Sequence, residues 1–246
     1  AHRGGVIAPD APENSRTAIE RAADHGYAMA ELDVMETRDG IPVLLHDGLY
    51  INCGVRARVA DLTTAELTAI RYRASEEPIL TLEQALDICA EHDLGVMLDK
   101  LANDAAPNGE MSEACLKRVA TLLSDRFLAS STVSIIDSSW RRKHLARVAS
   151  FPIPKGDVAL ALAGESLPVK DEFWFGWAAE LDDRTVARFQ ALGTFLIVSI
   201  NTFHYPHHAV EPLAQADIER LLAAGVEGFQ IDSVFEPFFP PEVKRA

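Results

Sequence analysis

Cysteine is scarce in this chain: three in 246 residues, at Cys53, Cys89 and Cys115. No two of them form a C-x-x-C pair, which removes the usual zinc and redox motifs, and so low and odd a count offers no disulfide framework. Cys89 and Cys115 fall in helical patterns and read as small core residues. Positive charge is also in short supply. Lys and Arg total 23 against 37 Asp and Glu, a formal net charge of −14. That balance argues against a nucleic-acid partner, which needs a basic stripe. Long apolar runs are absent, so no integral membrane segment is expected. No signal-peptide pattern is visible. No G-x-G-x-x-G loop marks a dinucleotide-binding sheet. There is no internal repeat, low-complexity tract or interdomain linker.

What is present is a long alternation of short apolar runs and helical patterns. Hydrophobic residues make up 48% of the chain, enough for a large core. The predicted strands are Met29–Val34, Pro42–His46, Gly95–Asp99, Thr132–Ile136, Val158–Ala163, Phe173–Ala179, Phe195–Ile200 and Gly228–Ile231. The predicted helices are Ser15–His25, Thr81–His92, Ser112–Ser124, Trp140–Ala149, Asp183–Leu192 and Gln215–Ala224. Thr81 with Gln84 has capping-box spacing. Alternation of this kind implies βαβ units on a parallel sheet. The expected fold is α/β, a (β/α)8 TIM barrel forming one domain over residues 1–246. The chain opens at Ala1-His2 without Met, and the first barrel strand is expected to be truncated. With that strand counted there are nine for eight places, and Phe173–Ala179 is taken as the accessory one. Asp47–Arg73 is a long irregular connection with one short helix, Thr63–Ile70.

The chemistry concentrates in the first fifty residues. Glu31 and Asp33 stand two apart in a predicted strand, so both point to one side. Paired carboxylates between apolar neighbours call for a cation, and oxygen ligands suit one divalent Mg2+ or Ca2+ rather than zinc. His46-Asp47 closes the strand that begins at Pro42, and His2 also stands at an apparent strand end. Two histidines beside a metal pair can act as acid and base. Arg3 offers a planar donor fork for phosphate oxygens, and Gly4 and Gly5 permit close backbone approach. In Pro12-Glu13-Asn14-Ser15, Asn14 or Ser15 reads as a helix N-cap, while Glu13 is a candidate to support the metal or Arg3.

These motifs, in this order, resemble the glycerophosphodiester phosphodiesterase family: His2-Arg3-Gly4, Pro12-Glu13-Asn14, Glu31-x-Asp33, Asp39-Gly40-Ile41-Pro42-Val43 and His46-Asp47. Val59–Leu67 and Leu80-Thr81-Leu82-Glu83 resemble its following segments. The resemblance is specific from residue 2 to about 100 and diffuse beyond. It implies a TIM barrel, a bound divalent metal, and hydrolysis of a small-molecule glycerophosphodiester to an alcohol and glycerol 3-phosphate. It also implies general acid and base roles for His2 and His46, and metal ligation by Glu31 and Asp33. The family's fourth strand carries an acid, one spacer and a phosphate-binding Lys. Here Asp99 and Lys100 are adjacent, so a regular strand would send them to opposite sides. Asp99 is taken as the third metal ligand, and Lys100 as a phosphate contact if a bulge returns it to the site. The alternative functions are a phospholipase-D-like barrel acting on another lipid or choline phosphodiester, and a catalytically weakened phosphate-binding barrel.

Weaker candidates lie later. Asp137 reads as a helix cap, and Trp174 and Trp177 read as core. His204, His207 and His208 form a loop read as solvated, and Lys155 is a candidate substitute cation. The late strand Val198-Ser199-Ile200-Asn201 lacks the family's aromatic residue. Compartment (cytoplasmic, or periplasmic and secreted) and oligomeric state stay open.

Overall fold

A computed structural model describes residues 1–165 and 172–240. The chain divides into two compact units, Ala1–Ala149 and Ser150–Ala246. Both are mixed α/β.

The first unit is built on a four-stranded sheet in the order β2-β1-β3-β4. Its strands are β1 (Met29–Glu36), β2 (Pro42–Leu44), β3 (Gly95–Ala102) and β4 (Thr132–Ser134). β1, β3 and β4 run parallel. β2 does not: it pairs antiparallel with β1. The expectation that Pro42–His46 is a parallel barrel strand is therefore corrected. The turn Arg38-Asp39-Gly40, with Gly40 at φ 73°, folds β2 straight back, as Asp-Gly pairs commonly do. That reversal returns residues 45–47 to the level of Asp33, where Leu45 N–H donates to the Asp33 carbonyl at 2.9 Å.

Helices α1 (Arg16–Asp24), α4 (Leu82–Glu91), α5 (Glu113–Asp125) and α6 (Ser139–Leu145) accompany this sheet. Ser15 caps α1, Thr81 and Gln84 form the expected box on α4, and Ser138 rather than Asp137 caps α6. Asp137 instead bonds Arg142 Nε at 2.5 Å. The connection after β2 is more ordered than its sequence suggests. It contains α2 (Leu49–Cys53) and α3 (Thr64–Thr68), and Leu49, Val59, Leu67 and Tyr72 close over Val43, Leu45 and Ile79 in a separate apolar cluster.

The second unit holds a three-stranded parallel sheet, β5 (Phe173–Trp177), β6 (Phe195–Ile200) and β7 (Gly228–Ile231), in sequence order. Phe173–Ala179 is thus an ordinary parallel strand over most of its predicted length, and the strand set apart is β2. Val158–Ala163 is not a strand but most of helix α7 (Lys155–Leu162). Its Val-Ala-Leu-Ala-Leu run fits either periodicity, and Ala and Leu are strong helix formers. Helices α8 (Asp183–Ala191) and α9 (Val210–Ala223) link β5 to β6 and β6 to β7. No helix among the described residues is long and apolar enough to cross a membrane.

The N-terminal residues lie against the first sheet. Ala1 makes both backbone bonds of a parallel neighbour to β1, donating to Met29 O at 2.7 Å and accepting from Glu31 N at 2.8 Å. Gly5, at φ 147°, lies so close to α1 that a Cβ there would sit 2.0 Å from the Ala18 carbonyl oxygen. The second glycine of the His2–Gly5 motif therefore serves the protein's own backbone. Gly5→Ala is expected to lower unfolding stability by about 2–4 kcal/mol, through strain at positive φ plus overpacking. Urea denaturation measures it, and a loss under about 0.5 kcal/mol contradicts this reading.

Candidate active site

β1 reads Met29-Ala-Glu-Leu-Asp-Val-Met-Glu36 and is buried along almost its whole length. Alternation puts Glu31 and Asp33 on one face, and both carboxylates are buried (1% and 0% exposed). β3 runs beside it with Asp99 as the register partner of Asp33. One oxygen from each of Glu31, Asp33 and Asp99 lies within 4.8 Å of the other two.

The hydrogen bonds divide these carboxylates into used and unused oxygens. Arg3 N–H donates to Glu31 Oε2 at 2.5 Å, and Asn14 Nδ2 donates to Asp33 Oδ2 at 2.9 Å. Asp33 N–H returns a bond to Asn14 Oδ1 at 3.2 Å, so Asn14 clasps Asp33 from backbone and side chain together. Glu31 Oε1 and Asp33 Oδ1, both buried, accept nothing. Burial, reinforced by Asp99, pushes both carboxyl groups upward: Glu31 well above its ordinary range through desolvation and Asp33, Asp99 repulsion, and Asp33 to about 7 through desolvation and Asp99, against the pull of Asn14. Orphaned oxygens on close, like-charged, dehydrated ligands are what a hard cation satisfies. The three residues fit one divalent ion.

The chain between Arg3 and Asn14 is strained to hold this arrangement. Arg3 (φ 52°) and Asn14 (φ 58°) are both left-handed, a conformation costing non-glycine residues of order 1 kcal/mol or more. Asn14 N–H bonds the Arg3 carbonyl at 2.8 Å, and Gly4 lies so near that a Cβ would be 2.6 Å from Asn14 Cα. The N-cap of α1 is Ser15; Asn14 serves Asp33 instead. No local signal separates those two uses of an Asn before a helix.

Arg3 reaches across the site, its Nη1 2.8 Å from Glu13 Oε2 and 3.6 Å from Asp47 Oδ2. Burial alone would weaken its charge; Glu13 and Asp47 more than restore it. Asn52 Nδ2 donates to the other Glu13 oxygen at 2.7 Å. Glu13, His46 and Asp47 also converge closely enough to suggest a metal group, but Arg3 and Asn52 already satisfy Glu13.

His46 Nδ1 lies 2.8 Å from Asp47 Oδ1. A carboxylate can only accept, so the shared proton sits on Nδ1 and the neutral ring presents Nε2 as an acceptor. Burial, then the nearby Lys100 and Arg3 charges, hold its pKa below the ordinary 6.5 against the opposing pull of Asp47. His2 is buried, on the short 3-10 turn His2–Gly4 between Ala1 and Arg3, both bonded to β1.

A bulge interrupts β3 at Lys100. Asp33 pairs with Asp99 but Met35 pairs with Ala102, so β3 carries one extra residue. Lys100 (φ 57°) and Leu101 (φ 47°) are both left-handed. Leu101 turns into the core, and the ammonium of Lys100 acts on both Asp33 and His46. Sequence reading also missed Arg141, buried on α6, 3.2 Å from Glu110 and within electrostatic reach of Asp99.

In the second unit, Trp174 is buried as expected, whereas Trp177 is exposed and packs its ring 4.6 Å from His204. Ser199, Asn201 and Gln230 form a buried hydrogen-bonded network across β6 and β7. Lys155 is exposed at the start of α7.

Comparison with known proteins gives a consistent picture. The model of the Glycerophosphoryl diester phosphodiesterase family matches residues 2–235. Glycerophosphodiester phosphodiesterase 1 of Mus musculus is 28% identical over 184 residues, covering 71% of this chain and 54% of that protein. The Homo sapiens protein of that name is 29% identical over 183 residues, with the same coverage. The chain spans about half the length of these curated relatives. Among solved structures, an Oleispira antarctica phosphodiesterase in complex with the product sn-glycerol-3-phosphate superposes with a TM-score of 0.71 at 19% identity, over 99% of this chain and 94% of that one. A glycerophosphoryl diester phosphodiesterase domain from Mycobacterium tuberculosis gives 0.70 at 18%, over 97% and 96%. At such identities the structural likeness speaks for the fold.

The raised carboxyl pKa values make a stability prediction. The metal-free fold retains protons that the unfolded chain has already released. The contribution of Asp33 to stability should therefore fall as pH rises from the ordinary Asp value of 3.8 towards about 7, then level off. In chelator, the Asp33→Asn variant should lose less Tm than the wild type between about pH 5 and pH 8, and Mg2+ or Ca2+ should stabilise the wild type most at the upper end. Thermal scans that show the same slope in both proteins would sink this assignment.

Proposed function

The chain belongs to the glycerophosphoryl diester phosphodiesterase family, and from that premise we propose that it hydrolyses glycerophosphodiesters to an alcohol and glycerol 3-phosphate. One divalent cation, Mg2+ or Ca2+, would be held by Glu31, Asp33 and Asp99, with His2 and His46 as the acid–base pair. The observation that carries this reading is the pair of buried, unsatisfied oxygens, Glu31 Oε1 and Asp33 Oδ1, beside Asp99. When bound, the ion supplies positive charge at the phosphoryl oxygens and lowers the cost of charge developing there.

The chain's own residues do the rest. Arg3 and Lys100 bring two cations to the dianionic region of the reaction, and Arg3's planar fork suits phosphate oxygens. Glu13, steadied by Asn52, keeps the Arg3 guanidinium in place. His46, held neutral with Nε2 free to accept, takes the proton of the attacking hydroxyl or water. His2 returns a proton to the departing alkoxide. Whether the attacker is water or the substrate's own glycerol hydroxyl decides if a cyclic phosphate appears on the way.

Likeness to solved family members over 97–99% of the chain supports reading residues 1–246 as a single (β/α)8-barrel domain. The weakened-barrel alternative was motivated by the displaced lysine, and the bulge at Lys100 supports reading Lys100 as a phosphate contact instead.

The test is turnover of a soluble glycerophosphodiester followed by phosphorus NMR. Glycerol 3-phosphate should accumulate with Mg2+ or Ca2+ and stop accumulating in excess chelator. A folded, metal-loaded chain that cleaves no glycerophosphodiester contradicts the proposal. His2→Ala and His46→Ala should each reduce kcat by about a hundredfold or more. In the wild type kcat/KM should decline on the acid side with a midpoint below 6.5, as neutral His46 is lost. A midpoint above that value would remove His46 as the base.

A further inference from the structure

We propose that the outer face of α2, beside the candidate active site, docks on an anionic phospholipid surface through Tyr50, Ile51, Arg56 and Arg73. Helix α2 buries Leu49 in the apolar cluster beneath it, and its next two side chains point outward, with Tyr50 51% and Ile51 62% exposed. One exposed isoleucine needs no explanation; this one is distinguished by its neighbours. The guanidinium of Arg56 stands 4.9 Å, and that of Arg73 5.7 Å, from the centroid of the Tyr50 ring. Nearby Arg58 and Arg38 are neutralised by Asp61 and Glu66. Among the described residues no ion pair engages Arg56 or Arg73. In a chain of net charge −14, two uncompensated cations gathered on one ring form a local anion-seeking face.

The chemistry of that face suits a bilayer better than a free anion. Guanidinium forks match phosphate oxygens. A tyrosine, with an apolar ring and a polar tip, and an aliphatic side chain next to it belong at the boundary between headgroups and acyl chains. Arginines at that depth engage anionic headgroups. The face is also rigidly tied to the site. Asn52, adjacent to Ile51, donates to Glu13, and Arg73 N–H donates to the Asn52 carbonyl at 3.0 Å. A surface bound there would lie a residue or two from Arg3 and Glu13. Resting on the hydrolase reading above, docking there would hold the candidate active site at a membrane surface, beside phosphodiesters presented by it.

Co-sedimentation with vesicles of phosphatidylcholine, with and without about 30% phosphatidylserine, tests the docking without any turnover. The chain should pellet only with the anionic vesicles, and NaCl at about 0.5 M should release it. Millimolar inorganic phosphate should not. Joint Arg56→Gln and Arg73→Gln substitution should cut the bound fraction about tenfold, and Ile51→Ser several-fold. Arg147→Gln, which removes an exposed charge elsewhere, should leave binding unchanged; circular dichroism verifies folding. Failure to pellet, equal pelleting on neutral vesicles, release by phosphate, or full binding by the double variant each overturn the proposal. Turnover of the soluble diester, measured in parallel, separates the two claims. Vesicle binding without turnover leaves the docking standing and removes the hydrolase; turnover without vesicle binding does the reverse.

Discussion

Two carboxylates buried on one strand are the constraint that organises the first unit. Glu31 and Asp33 sit in a stretch of β1 with almost no solvent access, where an unpaired carboxylate costs several kcal/mol. The surrounding chain reduces that cost only halfway. Arg3 N–H and Asn14 Nδ2 each satisfy one oxygen, and the other oxygen of each acid is left bare. Those two donors are secured by left-handed backbone at Arg3 and Asn14 and by glycines whose replacement would strike protein backbone. Strain of that size persists where something else in the functional state offsets it, and a divalent cation between the bare oxygens would do so.

The same constraint bears on how a strongly acidic protein would accept an anion. Its positive groups are few but local. Arg3 crosses towards Glu13 and Asp47, Lys100 acts on Asp33 and His46, and the ion would complete the set. Burial, then the Lys100 and Arg3 charges, favour neutral His46, the protonation state needed to accept a proton near neutral pH.

Much of this was legible in the sequence. Glu31 and Asp33, two apart between apolar residues, announce a shared buried face, because strand periodicity is strict. Seven of the eight predicted strands exist, since short bounded apolar runs read reliably as strands; Val158–Ala163 failed because Ala and Leu alternation also suits a helix. The direction of β2 did have a local signal, the Asp39-Gly40 turn, which the barrel expectation overrode. What could not be read was three-dimensional. The place of Lys100 depends on a bulge made by two non-glycine residues in left-handed conformation, for which there is no local marker. Asn14 looked like a cap because caps and buried clasps use the same side-chain chemistry. The later strands, whose buried polar residues bond to one another, carry little that sequence patterns could assign.

The central claim is that Glu31, Asp33 and Asp99 together hold a single divalent cation. Its most direct test is anomalous diffraction from a crystal of the chain soaked in Mn2+ as a probe ion. The account predicts one strong peak within about 2.0–2.6 Å of Glu31 Oε1, Asp33 Oδ1 and a carboxylate oxygen of Asp99. A peak on Glu13, His46 and Asp47 instead, or no ordered peak in the folded protein, would contradict it.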